Sequence, residues 1–580
     1  MVDPSKSSEA LVISEKKDDT ADIDFVIREE LKKTTDEEYN EVYSALSNAN
    51  LDLNISLPIY EISWGHIVSS SHGRFGELIF LYLRLEEVVT KKKPKRLVCK
   101  EDIDTGYLSV VQDIGEEYGM DVETAHRSTV SRYNLIQRFL KNSFLILPFL
   151  FDQIFSLVWK HFSGKPDEVE LAFIPSLGRL SSTLPVLNKI AESEYESYKI
   201  IIPSKVSSQG RRWKWKYRRS ELDDHDLDSI SRFTDVWTIC LQIYLYIQVS
   251  QRTLFGNKLK NELSEALEAD LEINLDSTIS YTIYESYRTR VFLSIFFYQL
   301  TDRFINKLKC QKIVIGGLSP SRRAILWSGI QNDCEVYYIP HGIFDAGASI
   351  DPPKELTHML SGNLQKKHYS ELSRVREMWN CVVTGRPYLC DIYSNYGKKE
   401  TTKSERSSFR VLVATQPLTG KKEFVEDVIE SVDTSNTRII IKIHPDEKKG
   451  EYAKYSKENK NVTVTESDLF KHLSESDLTV TINSNVGLES IIIGTPTVCV
   501  NKWKPGIGDS LYSKYGPVPL LRSKEELSEF IHDINHNELK SMLETQEEFV
   551  HSNFELDTDA ARNMMDTILT DGNTDTHRVS

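Results

Sequence analysis

Cysteine is scarce in this 580-residue chain, and its pattern excludes two classes of protein. The seven cysteines are scattered, with no Cys-x-x-Cys pair and no spacing typical of metal ligands. An odd number of scattered thiols is typical of a reducing compartment. We therefore expect neither a disulfide scaffold nor a metal site, and nothing in the sequence indicates a cofactor.

The sequence also lacks long apolar runs, so we do not expect a membrane-spanning helix. No stretch reaches the roughly 18 clean apolar residues of a membrane span. The nearest, residues 144–159, contains Pro148, Asp152 and Gln153. The polar, acidic N-terminus lacks the apolar core of a signal peptide. We expect a cytoplasmic protein, with peripheral attachment to the inner face of the cell membrane as an open alternative.

The chain has no overall excess of positive charge, and its net charge of −15 argues against a nucleic-acid partner. Cations are nonetheless concentrated in Arg211–Arg219, where they alternate with aromatic residues. Such a run by itself suits nucleic acid, anionic lipid or a charged polysaccharide, or is a solvated loop. Residues 130–163 are compatible with a buried helical pair or with a helix in a membrane interface, so both stretches are candidate membrane contacts.

Short β-branched segments alternate with helical patterns along most of the chain, which predicts an α/β fold with parallel sheets. We expect two Rossmann-like domains facing a cleft, with a helical insertion in the first. The predicted organisation is as follows: a disordered tail (1–22), an N-terminal acceptor-side domain (23–394) with helical insertions at about 130–163 and 210–309, a linker (395–408), a C-terminal donor-binding domain (409–570) and a loose tail (571–580).

The strongest functional signal lies where two predicted strands of the C-terminal domain end. One strand ends in Lys442-Ile443-His444-Pro445, and another leads into a turn, Asn483–Gly487, that opens a helix. Ligands of open α/β sheets bind beyond the carboxyl ends of the strands, and a helix N-terminus attracts anions. The sequence therefore predicts a phosphate site. Its candidate residues are Lys442, His444, Ser484, Asn485 and Gly487, with Thr415 and Gln416 after an earlier strand and Glu489 as an acceptor for ribose hydroxyls.

The N-terminal domain offers groups suited to acid–base chemistry. His341 ends another predicted strand, and His72 lies in a loop rich in small and polar residues. A neutral imidazole can accept the proton of a hydroxyl group. Arg322 and Arg386 are candidates for stabilising developing negative charge. Together the two domains suit group transfer from a nucleotide-activated donor.

These motifs carry a resemblance to a known group of enzymes. Lys-x-His-Pro, followed by Asn-Ser-Asn-Val-Gly-Leu-Glu-Ser and then Gly-Thr-Pro-Thr-Val, resembles the donor-binding half of GT-B glycosyltransferases. The similarity is closest to capsule-polysaccharide Kdo and sialic acid transferases and to CDP-glycerol glycerophosphotransferases. His341-Gly342 and Val383–Pro387 also resemble segments of the latter. The resemblance covers roughly residues 311–520.

The resemblance implies a metal-independent, inverting glycosyl transfer from a nucleotide sugar to a surface glycan or glycolipid. It implies that His341 is the base, that His444 and Ser484 hold phosphate and that Glu489 holds ribose. Three alternatives stay open at this point. They are a CDP-glycerol-type polyol-phosphate transferase, a nucleotide-sugar 2-epimerase and a degenerate, non-catalytic protein that binds a glycan.

Overall fold

The structure is a computed structural model that describes about two thirds of the chain. It covers residues 10–14, 25–27, 30, 72–100, 103–124, 153–154, 156–157, 167–175, 180–193, 195–202, 227–254, 276–286, 292–317, 320–340, 342, 356–371, 380–397, 408–417, 420–432, 436–445, 447–502 and 509–570, and isolated positions between 261 and 275.

The strands are β1 (Ala10–Ser14), β2 (Phe25–Val26), β3 (Arg96–Cys99), β4 (Asp121–Thr124), β5 (Leu171–Ile174), β6 (Tyr198–Ile202), β7 (Leu227–Ser229), β8 (Lys312–Gly316), β9 (Glu335–Ile339), β10 (Leu356–Leu360), β11 (Asn380–Val383), β12 (Phe409–Ala414), β13 (Thr437–Lys442), β14 (Val462–Thr465), β15 (Leu478–Thr481), β16 (Thr497–Val500) and β17 (Leu520–Leu521).

The α-helices are α1 (His72–Lys92), α2 (Thr105–Glu117), α3 (Leu184–Glu192), α4 (Val236–Leu254), α5 (Asp276–Ser286), α6 (Phe292–Leu308), α7 (Pro320–Gln331), α8 (Asn363–Glu371), α9 (Pro387–Ile392), α10 (Lys421–Ser431), α11 (Ala453–Glu458), α12 (Leu469–Glu475), α13 (Asn485–Ile493), α14 (Leu511–Lys514), α15 (Lys524–Asp533), α16 (His536–Asn553) and α17 (Ala560–Leu569).

The C-terminal sheet has six parallel strands in the order β14-β13-β12-β15-β16-β17. If the six strands are renumbered 1 to 6 in chain order from β12, the spatial order is 3-2-1-4-5-6. This is the order of doubly wound dinucleotide-binding folds. Alternate residues of the central strand β12 belong to different cores. Val411 and Val413 pack in one apolar cluster with residues of α10, whereas Leu412 and Ala414 pack in another with residues of α13. Helices therefore cover both faces of this sheet, which explains why successive residues of its inner strands β12, β15 and β16 are buried.

A seven-stranded sheet precedes it in the chain, with the order β7-β6-β5-β8-β9-β10-β11. Its first six strands repeat the same 3-2-1-4-5-6 arrangement. The described registers are parallel, with Phe173 of β5 opposite both Ile200 of β6 and Val314 of β8. The predicted α/β class, with two parallel Rossmann-like sheets in tandem, is confirmed.

A third sheet near the N-terminus was not predicted. Its four parallel strands have the order β2-β1-β3-β4. The prediction of a disordered tail at 1–22 is wrong for Ala10–Ser14, because these residues form β1. Leu11 and Ile13 are at most 1% exposed. Two apolar side chains on one face of a short strand are sufficient to anchor it beside β3, although the flanking sequence is polar.

The helical insertion predicted at 210–309 is largely helical in its described part, where α4, α5 and α6 follow one another. The prediction is wrong at Leu227–Ser229, which form β7 beside β6. This strand lacks an apolar pattern because Asp228 forms a buried ion pair with Lys199, at 3.3 Å. Of the other predicted insertion, residues 130–163, only 153–154 and 156–157 are described, all helical.

The chain divides into two compact units. The first comprises Met1–Leu177, Ser197–Val336 and Ala346–Pro352, and the second comprises Gly178–Glu196, Tyr337–Asp345 and Pro353–Ser580. The predicted linker at 395–408 is described at 395–397, within the helical turn Tyr393–Gly397 that follows α9, and at Ser408. The tail 571–580 lies outside the described residues. None of the described helices has the length and apolarity that crossing a membrane requires.

Candidate functional site

The candidate site lies in the second unit, at the carboxyl edge of the C-terminal sheet. Strand order reverses there, because β12 has β13 on one side and β15 on the other. The connections that leave β12 and β15 therefore run to opposite sides, and a crevice opens between them. Thr415 and Gln416 follow β12, His444 follows β13, and Ser484 follows β15. The topology brings together the donor-site residues that lie far apart in the sequence.

Gln416 and Asn483 connect the two loops on either side of this reversal. Gln416 Nε2 donates a hydrogen bond to Asn483 Oδ1 at 2.9 Å, and the Asn483 backbone N–H donates to Gln416 Oε1 at 3.1 Å. This reciprocal pair holds the loop after β12 against the turn that begins α13. Gln416 was predicted as a donor-binding residue from its position alone, and the structure gives it a definite role in positioning the turn.

Ser484 begins α13, and the prediction that its turn opens a helix is confirmed. Its hydroxyl accepts a hydrogen bond from the Val486 N–H at 3.3 Å, so Ser484 is the helix N-cap. Residues 483–486 are partly exposed, whereas α13 is buried from Gly487 to its last residue, Ile493. The positive end of the helix dipole is thus accessible to an anion while the rest of the helix is anchored in the core.

Gly487 is required by packing. A Cβ atom at this position would lie 2.7 Å from Cζ of Tyr512, so only glycine leaves room for the phenol ring. The Tyr512 hydroxyl donates to the Ser484 carbonyl at 2.6 Å. Thr497 Oγ1 donates to the Gly487 carbonyl at 3.0 Å. These contacts fix the first turn of α13 against α14, which contains Tyr512, and against β16, which contains Thr497.

Lys442 and His444 lie at the end of β13, as the sequence predicts. Both are half-buried. Lys442 Nζ donates to the carbonyl oxygen of Ile443 at 3.1 Å, and burial lowers the pKa of this lysine against an opposing effect of Glu466. A partly desolvated ammonium has a stronger electrostatic interaction with an anion than an exposed one. Lys442 thus supplies a cation at the carboxyl end of β13, on the same edge of the sheet as the N-terminus of α13 and separated from β15 by β12.

Glu447 was missed by the sequence analysis, although it holds the loops after β12 and β13 together. It is 7% exposed and accepts hydrogen bonds from the Thr415 hydroxyl, the Tyr452 hydroxyl and the His444 backbone N–H. Lys421 Nζ lies 3.2 Å from its carboxylate. Burial raises the pKa of Glu447, but these donors outweigh it and lower the pKa overall. The sequence feature that could have indicated Glu447 is its position in a turn, three residues after His444.

Thr415, another predicted donor-binding residue, is only 3% exposed. Besides donating to Glu447, its hydroxyl accepts from the His444 backbone N–H at 3.1 Å. Its contacts in the structure are therefore with the protein, and they orient the His444 backbone.

Glu489 lies deeper in α13 and is 5% exposed. It hydrogen-bonds the Tyr388 hydroxyl, and burial together with this carboxylate raises the tyrosine pKa. The guanidinium of Arg386 lies 5.7 Å from the centre of the Tyr388 ring and donates to the Ser182 hydroxyl at 3.4 Å. The predicted residues Glu489 and Arg386 are thus joined through a tyrosine that the sequence analysis did not single out.

The remaining candidates belong to the sequence before the C-terminal sheet. Arg322, in the first turns of α7, donates to the Pro175 carbonyl at 3.2 Å, and burial lowers its pKa to about 10. This places a cation near the carboxyl ends of β5 and β8, where the order of the seven-stranded sheet reverses. His341 lies outside the described residues. His72 begins α1, and its side chain is outside the described part.

Metal-binding clusters are not found in the part of the chain that the structure describes. No group of three or more His, Cys, Asp or Glu side chains there has a geometry suited to a metal ion.

Comparison with known proteins gives one family match, to residues 410–507. The family is described as "Capsule polysaccharide biosynthesis protein". The match covers five of the six strands of the C-terminal sheet, β12 to β16, and includes every donor-binding residue predicted above. The resemblance noted for the motifs of this segment is thereby confirmed. No curated protein matches the sequence.

Solved structures show distant similarity over most of the chain. UDP-GlcNAc 2-epimerase from Neisseria meningitidis, bound to UDP-GlcNAc, has 11% identity and a TM-score of 0.41, with 69% of this chain and 99% of that chain covered. MurG from Acinetobacter baumannii has 12% identity and a TM-score of 0.39, with coverages of 70% and 99%. The epimerase from Methanocaldococcus jannaschii has 12% identity and a TM-score of 0.38, with coverages of 66% and 99%.

Proposed function

We propose that this protein transfers a glycosyl group from a nucleotide-activated sugar to a surface-glycan or glycolipid acceptor. The observation that carries the proposal is the convergence of Lys442, His444 and the Ser484-capped helix α13 at the point where the strand order of a parallel sheet reverses. The match of residues 410–507 to a capsule-polysaccharide family supports the same class of substrate.

In this proposal the edge of the C-terminal sheet binds the phosphates of the donor. The N-terminus of α13 and the Lys442 ammonium supply positive charge, and His444 supplies a further donor. The leaving group carries growing negative charge as the sugar–phosphate bond breaks, so the same groups stabilise the transition state more than the ground state. No metal ion is needed for that role.

The acceptor hydroxyl attacks the anomeric carbon as the bond to phosphate breaks, and its proton passes to a base. We propose His341 as this base, since it follows a strand of the seven-stranded sheet. Arg322 and Arg386 are proposed to stabilise negative charge, and His72 is a further candidate on the acceptor side. Glu489 is proposed to hold the ribose hydroxyls, with Asn485 and Gly487 in the donor turn.

Donor binding is tested with a thermal-shift screen of the full chain against CMP, CDP, UDP, GDP and the corresponding sugars. A ligand that binds only the folded protein raises the unfolding midpoint. We expect one nucleotide to do so, and Ser484→Ala to weaken that shift. Ser523→Ala is the matched control, because Ser523 is also an N-cap serine whose hydroxyl accepts from a backbone N–H, but at α15.

Both substitutions remove a helix cap and should destabilise the free protein by about 1 kcal/mol. Only Ser484→Ala should reduce the nucleotide-induced shift. Equal shifts in both variants would contradict a phosphate site at α13. If no nucleotide raises the midpoint of the wild type, the proposed donor class is wrong.

Transfer itself is tested by following the donor and its products with and without acceptor sugars. We expect release of free nucleotide, and we expect His341→Ala to lose turnover while its nucleotide-induced thermal shift is unchanged. Full activity in that variant would exclude His341 as the base. Conversion of the donor to an epimer in the absence of acceptor would instead identify a nucleotide-sugar epimerase.

A further inference from the structure

The seven-stranded sheet has its own reversal of strand order, because β5 has β6 on one side and β8 on the other. Ligand sites of parallel sheets lie beyond the carboxyl ends of such strands. Pro175 follows β5, and Gly317 follows β8 ahead of α7 (Pro320–Gln331). Neither residue has a polar side chain, so the described polar side chains at this point of the edge come from the first turn of α7. These elements all belong to the first unit.

The first turn of α7 contains Arg322 and Arg323 but no acidic residue. The N-terminus of a helix is the positive end of its dipole, and its first backbone N–H groups have no acceptor within the helix. Acidic side chains are therefore stabilising at this position, and cations are not. Arg322 adds positive charge to an end of the helix that is already positive, which is unfavourable unless an anion offsets it.

The side chain of Arg322 extends from α7 to the end of β5. Its Nη2 donates a hydrogen bond to the Pro175 carbonyl at 3.2 Å. Its Nε is buried and has no hydrogen-bond partner among the described residues. Burial alone lowers the pKa of this guanidinium to about 10, and no acidic side chain in the described part of the chain opposes that effect. Most of the N–H donors of the guanidinium are thus unused.

Other arginines of the described residues have acidic partners. Arg232 pairs with Asp228, and Arg522 donates to both carboxylate oxygens of Asp509. A desolvated charge without such a partner is costly, because nothing offsets the loss of its hydration. Departures from this rule are expected at functional sites. The Arg322 side chain as a whole is partly exposed, which leaves access for a ligand.

We propose that Arg322 and the N-terminus of α7 bind an oxyanion, either a phosphate or a carboxylate group. A planar guanidinium donates paired hydrogen bonds to both kinds of group, and the free backbone N–H groups of α7 add further donors. The site belongs to the first unit, whereas α13 belongs to the second. The inference goes beyond the charge-stabilising role proposed for Arg322, and it stands independently of the proposed transferase activity.

Arg322→Met distinguishes a ligand-binding role from a structural one. The variant loses a charge that has no acidic partner, so the thermal midpoint of the free protein should stay the same or rise. The rise that inorganic phosphate or glucuronate induces in the wild type should be lost. Arg303→Met is the matched control, because it removes the same charge from a side chain that pairs with Asp235 and donates to Thr238.

The response of Arg303→Met to the two anions should equal that of the wild type. Equal responses in Arg303→Met and Arg322→Met would overturn the proposal. So would an Arg322→Met protein that is clearly less stable than the wild type or does not fold, because the guanidinium would then have a structural role.

Hydrogen exchange followed by peptide mass spectrometry locates the bound anion. We expect phosphate or glucuronate to slow exchange of the backbone N–H groups of Ser321–Arg323 about tenfold, relative to sodium chloride at the same ionic strength. Ser484→Ala should retain this protection, since it alters α13, and Arg322→Met should lose it. Protection by phosphate alone identifies a phosphate group as the ligand, and protection by glucuronate identifies a carboxylate. Equal protection by glucose, the neutral counterpart of glucuronate, would overturn an ionic site.

The same experiment separates this inference from the proposed function. If phosphate protects peptides of α13 but neither anion protects those of α7, the present inference is overturned and the donor site is supported. If α7 is protected in a protein whose midpoint responds to no nucleotide, the oxyanion site is supported and the proposed donor class is wrong.

Discussion

Gln416 and Asn483 lie 67 residues apart in the sequence and form a reciprocal hydrogen-bonded pair across the point where the strand order of the C-terminal sheet reverses. The pair links the loop after β12 to the turn that begins α13. It therefore determines where the N-terminus of that helix, the proposed phosphate site, lies relative to the rest of the edge.

Replacing Gln416 with leucine should weaken nucleotide binding more than it weakens the fold. The substitution removes both hydrogen bonds that join residue 416 to Asn483, which should lower the free energy of unfolding by about 1–2 kcal/mol. We expect a smaller nucleotide-induced thermal shift at saturating ligand. Asn395→Leu is the control, because that amide is exposed and bonds to the Asp391 carbonyl one turn earlier in its own helix. Equal ligand responses in the two variants would contradict the positioning role.

Glu447→Gln should be strongly destabilising. The neutral amide cannot satisfy Lys421 and the donors on Thr415, Tyr452 and His444 as the carboxylate does, so we expect a loss of about 2–4 kcal/mol, measured by urea denaturation. Glu451→Gln is the matched control. Glu451 also pairs with Lys421, at 2.8 Å, but it is more exposed than Glu447. It should change the stability little, and a similar loss in both variants would show that the buried network is not responsible.

The contribution of Glu447 should depend on pH in a defined direction. Its pKa is lower in the folded protein than in the unfolded chain. The unfolded chain therefore takes up a proton first as the pH falls, and the stabilisation is present above the ordinary glutamate pKa of about 4.3. It is lost as the pH falls below that value, through the folded pKa.

The measurement is the difference in unfolding free energy between the wild type and Glu447→Gln as a function of pH. It should be constant near neutrality and shrink on acidification. A difference that grows as the pH falls would mean that the carboxylate is destabilised in the folded protein, contrary to the hydrogen bonds described here.

Gly487→Ala should destabilise the protein through steric overlap. The new methyl group would meet the Tyr512 ring at 2.7 Å, and overpacking of this kind typically costs about 1–3 kcal/mol. Gly450→Ala is the control, because a Cβ at that position has no heavy atom within 4 Å. We expect a lower thermal midpoint for the first variant and an unchanged or raised one for the second. Equal midpoints would mean that α13 can shift away from Tyr512.

Because Tyr512 also supports the Ser484 carbonyl, the Gly487→Ala variant should respond less to nucleotide. Tyr512→Phe tests this connection without steric overlap, since it removes only the hydroxyl that donates to Ser484. A normal nucleotide response in Tyr512→Phe combined with a poor one in Gly487→Ala would attribute the effect to displacement of the helix.

The sequence by itself determined the α/β class, the positions of the main strands and the donor-site segment. Runs such as Ile439–Ile441 are apolar because both faces of the sheet are covered, and a serine before an apolar helix marks its cap. These are local patterns, readable without knowing which strands are neighbours. Lys442, His444 and Ser484 could be predicted for the same reason, since each lies at or close to the end of a regular element.

Only the tertiary structure decided which distant side chains meet. The Gln416–Asn483 pair, the network around Glu447 and the contact of Glu489 with Tyr388 depend on strand order, which hydrophobic periodicity does not encode. The short strands β1 and β7 are established by pairing with neighbouring strands and, for β7, by a buried ion pair. Exposure along α4 was likewise decided by the tertiary structure: Thr238 and Gln242 are buried and hydrogen-bonded to other elements, whereas the apolar Trp237 is exposed.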